Sequence, residues 1–258
     1  MQKPSKPLYQ EPVQLNVQLH RHKKLAAFKD HSVLSASHAV YINAVEFVNA
    51  AQHFPIVFVP ATVANPQITP IAMMALVPND NLFVEGSGWD SSVYLPAFFR
   101  RLPYLTAPLP NSDQIAVYID AKWPALNDTD GEPLFTAEGE HAPALVKAID
   151  FLKLFDEESQ RTAQLCSRLQ ALELLTTMEA EMKLPDGDHI KLDGFMVVDE
   201  DKLRALPDAA VLELHRSGAL GLVHAHLLSL DNLNRLVLRH ARRGAGQESG
   251  SGTTAAND

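Results

Sequence analysis

The sequence predicts an α+β fold, with short mixed or antiparallel sheets in a strand-rich N-terminal half packed against a helix-rich C-terminal half. Three observations point there. Between residues 39 and 120, short β-branched runs are punctuated by prolines and by Asn, Asp and Gly turn residues. From Ala144 onward, apolar residues recur at helical spacing. The chain has 258 residues, of which 46% are hydrophobic and 21% charged, the composition of an ordinary folded protein. A chain of that length buries roughly 70–75% of its unfolded surface and needs no disulfide or metal staple.

The elements follow in order. VYI at 40–42 reads as a strand. In the NAVEFVNAAQHF that follows, Asn43 stands at an N-cap and Glu46 at the third helical position, the spacing of a capping box. Val45, Val48, Ala44 and Ala51 supply the apolar stripe of that helix. PIVFVP at 55–60, β-branched and bounded by prolines, reads as a strand. TPIAMMALV at 69–77 and NLFV at 81–84 flank Pro78-Asn79-Asp80 and predict a hairpin. Pro96 opens a helix over AFFRRL, which Pro103 ends. IAVYID at 115–120 alternates as a strand does. ALVKAIDFLKLF starts a helical stretch that Leu165, Leu169, Leu172 and Met178 extend through Ser159–Met182. KLPDGDHIKLDGFMVV then places two turn signals, PDGD and DG, between β-like runs. Asp199 caps DEDKLRAL and Asp208 caps AAVLELHRSG, with Gly218 at the C′ position.

The resulting organisation is an extended, proline-punctuated segment over 1–30, an α+β domain over 31–243, and a disordered tail over 244–258. A candidate subdomain boundary lies near 124–142. The tail contains no large apolar residue, which leaves it nothing to bury.

Composition excludes several functions. A net charge of −9 argues against a nucleic-acid partner, which requires a clustered basic face. The single cysteine, Cys166, rules out an intramolecular disulfide. No apolar run approaches the ~20 residues that span a bilayer, so no membrane insertion is expected, and the first residues lack the apolar core of a secretory signal. A cytoplasmic location is the expectation, with non-classical export left open, and the sequence leaves the oligomeric state undetermined.

The candidate chemistry is sparse. GSG at 86–88 lacks the lysine of a phosphate-binding loop and opens no GxGxxG helix, so no cofactor is expected. His224 and His226 are the best metal-like pair, but two helical residues that close diverge by roughly 200°, and no HExxH or cysteine pair accompanies them, so no metal is expected. HRH at 20–22 lies in a polar segment expected to be mobile. Cys166 falls on the apolar side of a long helix, where a thiol is inert. Glu46, Asp90, Asp120 and His226 are the groups an enzyme would bring into one pocket. Trp89, Tyr94, Phe98, Phe99, Arg100 and Arg101 have the aromatic-plus-arginine composition of interface anchors, and point to a protein or peptide partner. No catalytic residue stands out.

The ordered set of short motifs adds a resemblance. EF at 46–47, AA at 50–51, PIVF at 55–58, NLFV at 81–84, GW at 88–89, YLPAFFRRLPY at 94–104, YID at 118–120, LF at 134–135, GFMVVDEDKL at 194–203 and AHLLSLDNL at 225–233 together resemble the bacterial SapC family, from about residue 15 to 240. The resemblance brings no catalytic residue with it. It implies a non-catalytic accessory protein that binds a partner in a cell-envelope, surface-layer or uptake system. Two alternatives stay open: an enzyme of unrecognised type acting on a small molecule or peptide, and a structural surface-layer component.

Overall fold

The structure, a computed structural model, describes residues 7–60, 67–109, 112, 114–183 and 189–250. Its centre is a five-stranded antiparallel sheet in the spatial order Leu175–Lys183, His189–Val198, Ile56–Pro60, Ile68–Met73, Ala39–Tyr41. Two strands thus come from the helix-rich half and three from the strand-rich half, so the halves are joined within one sheet. The first three residues of the central strand, Ile56, Val57 and Phe58, are buried, as expected for a β-branched strand covered on both faces.

A second, smaller sheet pairs Pro12–Gln14 with Ile115–Asp120, and Ile115–Asp120 with Tyr104–Pro108, all antiparallel. Residues 9–14 are therefore clasped rather than draped over the surface. Tyr9 donates to the Tyr104 carbonyl at 2.9 Å, and the Asp120 carboxylate accepts from the Gln10 and Glu11 N–H groups, both at 2.9 Å. Lys24–Leu25 pairs with Leu126–Asn127 and with Glu132–Pro133, so the stretch read as a subdomain boundary carries strands of its own.

One helix, Pro143–Ala171, spans both cores. At ~1.5 Å per residue its 29 residues run about 43 Å. Leu145 and Leu152 enter the second core with Tyr104, Ile119, Leu134 and Phe135; Leu165, Cys166 and Leu169 enter the main core under the central sheet. The Ala219–Ser229 and Asn232–Gly250 helices close the main core with Val223, Ala225, Leu233 and Leu236.

Several local expectations are corrected. The long helix stops at Ala171 rather than continuing to Met182. Glu173 adopts φ +53, Leu174 N–H returns to the Leu169 carbonyl at 3.1 Å, and the alternating LTTMEAEMK emerges as a strand. The partner of Ile68–Met73 is Ile56–Pro60, not NLFV, because Val84–Glu85 pairs with Gly88–Trp89 instead. The DG of 193–194 is no turn: Gly194 sits inside one strand at φ +81, opposite a register shift between Met178 and Ala180, as a bulge requires. The PDGD turn lies outside the described residues. Asp208 is the first residue of its helix, behind Pro207, while Asp199 does cap, accepting from the Asp201 and Lys202 N–H groups. His20, expected in a mobile segment, is buried with its Nδ1 against Asn16. The C-terminal helix runs to Gly250, into the stretch read as a tail, and 251–258 lie outside the described residues. Among the described residues, no helix is long and apolar enough to cross a membrane.

Candidate functional site

The site starts from the turn after the Ala39–Tyr41 strand. Residues Ala44–Glu46 form a 3-10 turn that leads into the short helix Phe47–Ala50. Three residues per turn put Ala44, Phe47 and Ala50 inward. Val45 and Val48 are consequently turned out, each 60% exposed; the stripe expected from Val45, Val48 and Ala44 is displaced by the tighter helix. The turn is pinned to the long helix by polar contacts: Ala44 N–H donates to Thr162 Oγ1 at 2.8 Å, and Asn43 Oδ1 accepts from Tyr41 Oη at 2.7 Å and Ser159 Oγ at 3.1 Å.

Glu46 is buried and fully engaged. Its Oε2 accepts from the Asn43 N–H at 2.9 Å, the return half of a capping box. Its Oε1 accepts from Tyr94 Oη at 2.9 Å and from the Ala97 N–H at 2.7 Å. The Ala97 contact places the carboxylate at the first residue of the Ala97–Arg100 helix, so one side chain caps two helical segments 51 residues apart. Tyr94 Oη in turn accepts from Arg100 Nη2 at 3.1 Å. Burial, with the Glu46 carboxylate beside it, pushes the Tyr94 hydroxyl up to about 12, so this phenol stays protonated and acts as a donor to Glu46.

Beyond this chain of contacts lies a groove along the long helix. Two hollows of about 640 and 220 Å³ share Val45 and Glu158. The larger runs between Leu165, Arg168 and the Ser217–Ala219 junction; the smaller lies beside Tyr94, Arg100, Phe151 and Leu154. Leu154 is 54% exposed. The groove's other cations are matched: Arg161 pairs with Glu158, and Arg168 with Glu213. Arg100 is not. Its guanidinium stands 5.7 Å from the Tyr94 ring centroid and 5.4 Å from that of Phe151, and among the described residues no carboxylate forms an ion pair with it.

The other residues singled out in the sequence are placed elsewhere. Trp89 packs on Phe54, Phe83 and Phe99 and donates its indole N–H to the Val93 carbonyl at 3.1 Å. Phe99 is buried. Phe98 lies under Arg101, whose guanidinium carbon is 3.9 Å from that ring centroid and 4.8 Å from Phe155. Asp90 accepts from Ser92 and from Arg239 at 2.9 Å. Hydrogen bonds from Ser92 and Arg239 hold its carboxyl below the usual range. Asp120 holds the N-terminal segment, as described above. Cys166 is fully buried, and burial pushes its thiol up to about 12.

His226 has the most specific role of these. It is fully buried, with Nδ1 2.9 Å from the Ile56 carbonyl and Nε2 accepting the Val198 N–H at 3.0 Å. Those contacts fix the tautomer with hydrogen on Nδ1. Met196 pairs with Phe58 across these two strands, so Val198 and Ile56 are the next position of the ladder. The imidazole stands in that rung. Ser229 on the same helix takes the Ile56 N–H at 2.9 Å. His224 leaves on another side of the helix and is exposed. Glu46, Asp90, Asp120 and His226 are thus each committed to a different part of the fold, and the structure brings together instead Glu46, Tyr94 and Arg100. Among the described residues, no three potential metal ligands converge.

Sequence reasoning missed Val45, Phe151 and Leu154 as parts of this groove. The available signal was Val45 and Val48 in a turn whose capping fixes its inward positions. Neither a curated protein nor a solved structure matches the chain. The SapC family model does, over residues 15–236 of the 258, a stretch that includes the whole central sheet, the whole groove and the Glu46–Tyr94–Arg100 contacts, and the chain therefore belongs to the SapC family.

Proposed function

We propose that this SapC-family chain is a non-catalytic accessory protein that holds a polypeptide partner in a cell-envelope, surface-layer or uptake system, and that the groove along the long helix is its docking face. The observation that carries this reading is Arg100: a guanidinium without a carboxylate partner among the described residues, in a chain with nine surplus acids, lining one hollow with exposed Val45 and Leu154. An unmatched cation next to apolar surface is complemented by a segment bearing an acidic side chain beside an apolar one. Arginine flanked by aromatic rings is also a composition enriched at binding hot spots.

Of the six residues expected to contact a partner, Tyr94 and Arg100 reach the groove. Trp89, Phe98, Phe99 and Arg101 line neither of its hollows. The non-catalytic part of the proposal is supported by how the reactive groups are used. Both oxygens of Glu46 accept hydrogen bonds from the protein, both nitrogens of His226 are taken by main-chain groups, and the Cys166 thiol is sealed in the core.

The test compares proteins that co-purify from the native cell with the wild-type chain, with Val45→Asp/Leu154→Asp, and with Arg100→Glu. All three substitutions are at exposed positions, and circular dichroism checks that the fold is kept. The proposal expects one partner recovered with the wild type to be lost from both variants. An unchanged set of recovered proteins would overturn it.

A further inference from the structure

A second pocket lies at the edge of the main core, beside the loop that follows the second sheet. It encloses about 280 Å³, near the lower end of the roughly 300–1,000 Å³ typical of small-molecule sites. Leu34 and Phe99 reach it from the main core. Trp123 reaches it from the loop that follows the second sheet, where its backbone N–H is bonded to the Asp120 carbonyl at 3.0 Å. Phe28 lies against Trp123 with ring centroids 4.5 Å apart. His31 opens the 3-10 turn His31–Leu34, which is held by a bond from its N–H to the Ser87 carbonyl at 2.8 Å.

The polar groups of this pocket are unusual in kind. Trp123 is 5% exposed, yet its indole N–H has no acceptor, and His31 Nδ1 is also buried and unpartnered. Two of the five such atoms among the described residues therefore belong to side chains that line one pocket. A buried polar atom without a partner calls for an explanation. The third polar group, Arg100, sits on the ridge between pocket and groove and lines both. No carboxylate is among the lining residues. The indole N–H and the guanidinium are hydrogen-bond donors, and an imidazole can supply one more, so the complement of Trp123 and Arg100 is an acceptor, and with arginine present an anionic one.

We infer that this pocket binds a small carboxylic acid with a flat apolar body, the body seated among Phe28, Phe99 and Leu34 and the carboxylate taken by the Trp123 indole N–H and Arg100. This does not rest on the partner reading, because Trp123, His31 and Phe28 do not line the groove.

The chain has two tryptophans, and the Trp89 indole is already bonded within the protein, which makes the Trp123 indole signal a selective reporter. The experiment titrates phenylacetate into ¹⁵N-labelled full-length protein and follows both indole N–H resonances, assigned with Trp89→Phe. Benzylamine serves as the cationic counterpart of the same shape. The expected result is a saturable downfield shift of the Trp123 resonance with phenylacetate and none with benzylamine. Arg100→Gln, at an exposed position, should weaken phenylacetate roughly tenfold or more, as loss of one charge-assisted bond implies. Trp123→Phe keeps the ring and removes the donor, and should weaken binding comparably by ligand-observed saturation transfer. A Trp123 signal that never shifts saturably, or equal binding of amine and acid, would overturn the inference. So would an affinity unchanged by both substitutions. If Trp123→Phe does not fold, the wild-type and Arg100→Gln titrations decide.

Discussion

Replacing His226 by leucine should remove the rung that joins the two halves of the central sheet. The side chain is buried and bonded to Ile56 and Val198 main-chain groups at 2.9 and 3.0 Å. Leucine fills much of the space but leaves one carbonyl and one N–H without partners. At roughly 1–3 kcal/mol for each orphaned buried group, the loss near neutral pH is about 2–6 kcal/mol. The same contacts set a pH dependence. Burial lowers the His226 imidazole to about 4, against roughly 6.5 in an unfolded chain. Below pH ~6.5 the unfolded chain takes up a proton that the folded chain refuses, so stability falls with pH across the window from about 6.5 down to 4. The whole window is worth roughly 3 kcal/mol, about 2 of it between pH 7 and pH 5. His53, which partial burial and the nearby Arg235 and Arg239 also lower, acts in the same direction but is present in both proteins. Urea unfolding of wild type and His226→Leu across that range should therefore show a stability gap that narrows by about 2 kcal/mol toward pH 5. Parallel curves would refute the assignment of this histidine as a neutral main-chain bridge.

Two further outcomes follow from the same geometry. Glu46→Ala leaves the Asn43 and Ala97 N–H groups and the Tyr94 hydroxyl without their acceptor; the two N–H groups alone should cost about 2–6 kcal/mol in denaturant unfolding, and a loss under about 0.5 kcal/mol, the ordinary size of a surface substitution, would show that the carboxylate is not engaged as described. Cys166, with its thiol in the core and raised to about 12 by burial, should be silent to Ellman's reagent in the folded protein and react on addition of guanidinium chloride. Rapid reaction under native conditions would contradict that burial.

The capped turn at Asn43–Glu46, the β-branched Ile56–Pro60 strand and Gly218 closing its helix at φ +79 were legible in the sequence because each depends on neighbours a few positions away. The end of the long helix was not: Leu172 and Met178 keep helical spacing while Glu173 turns left-handed, and only the pull of sheet pairing over residues 175–183 separates the two readings. Glu46 shows the same boundary within one residue. Its cap to Asn43 is local and visible; its bonds to Tyr94 and Ala97, 48 and 51 positions away, exist only once the chain has folded. His226 was readable as a structural histidine, but the ladder rung it fills depends on two strands separated by more than a hundred residues. The exposure of Val45 and Val48 turned on a 3-10 pitch that hydrophobic pattern alone does not distinguish from an α-helix.

Site-directed photocrosslinking in the native cell tests the docking face most directly. A benzophenone side chain placed at Leu154, in the groove, is compared with one at Leu19, which is exposed but outside it. The prediction is one discrete crosslinked protein from position 154 that disappears when Arg100→Glu is added, and none from position 19. Crosslinks equal at both positions, or a product at 154 indifferent to the charge at 100, would contradict a partner held by this groove.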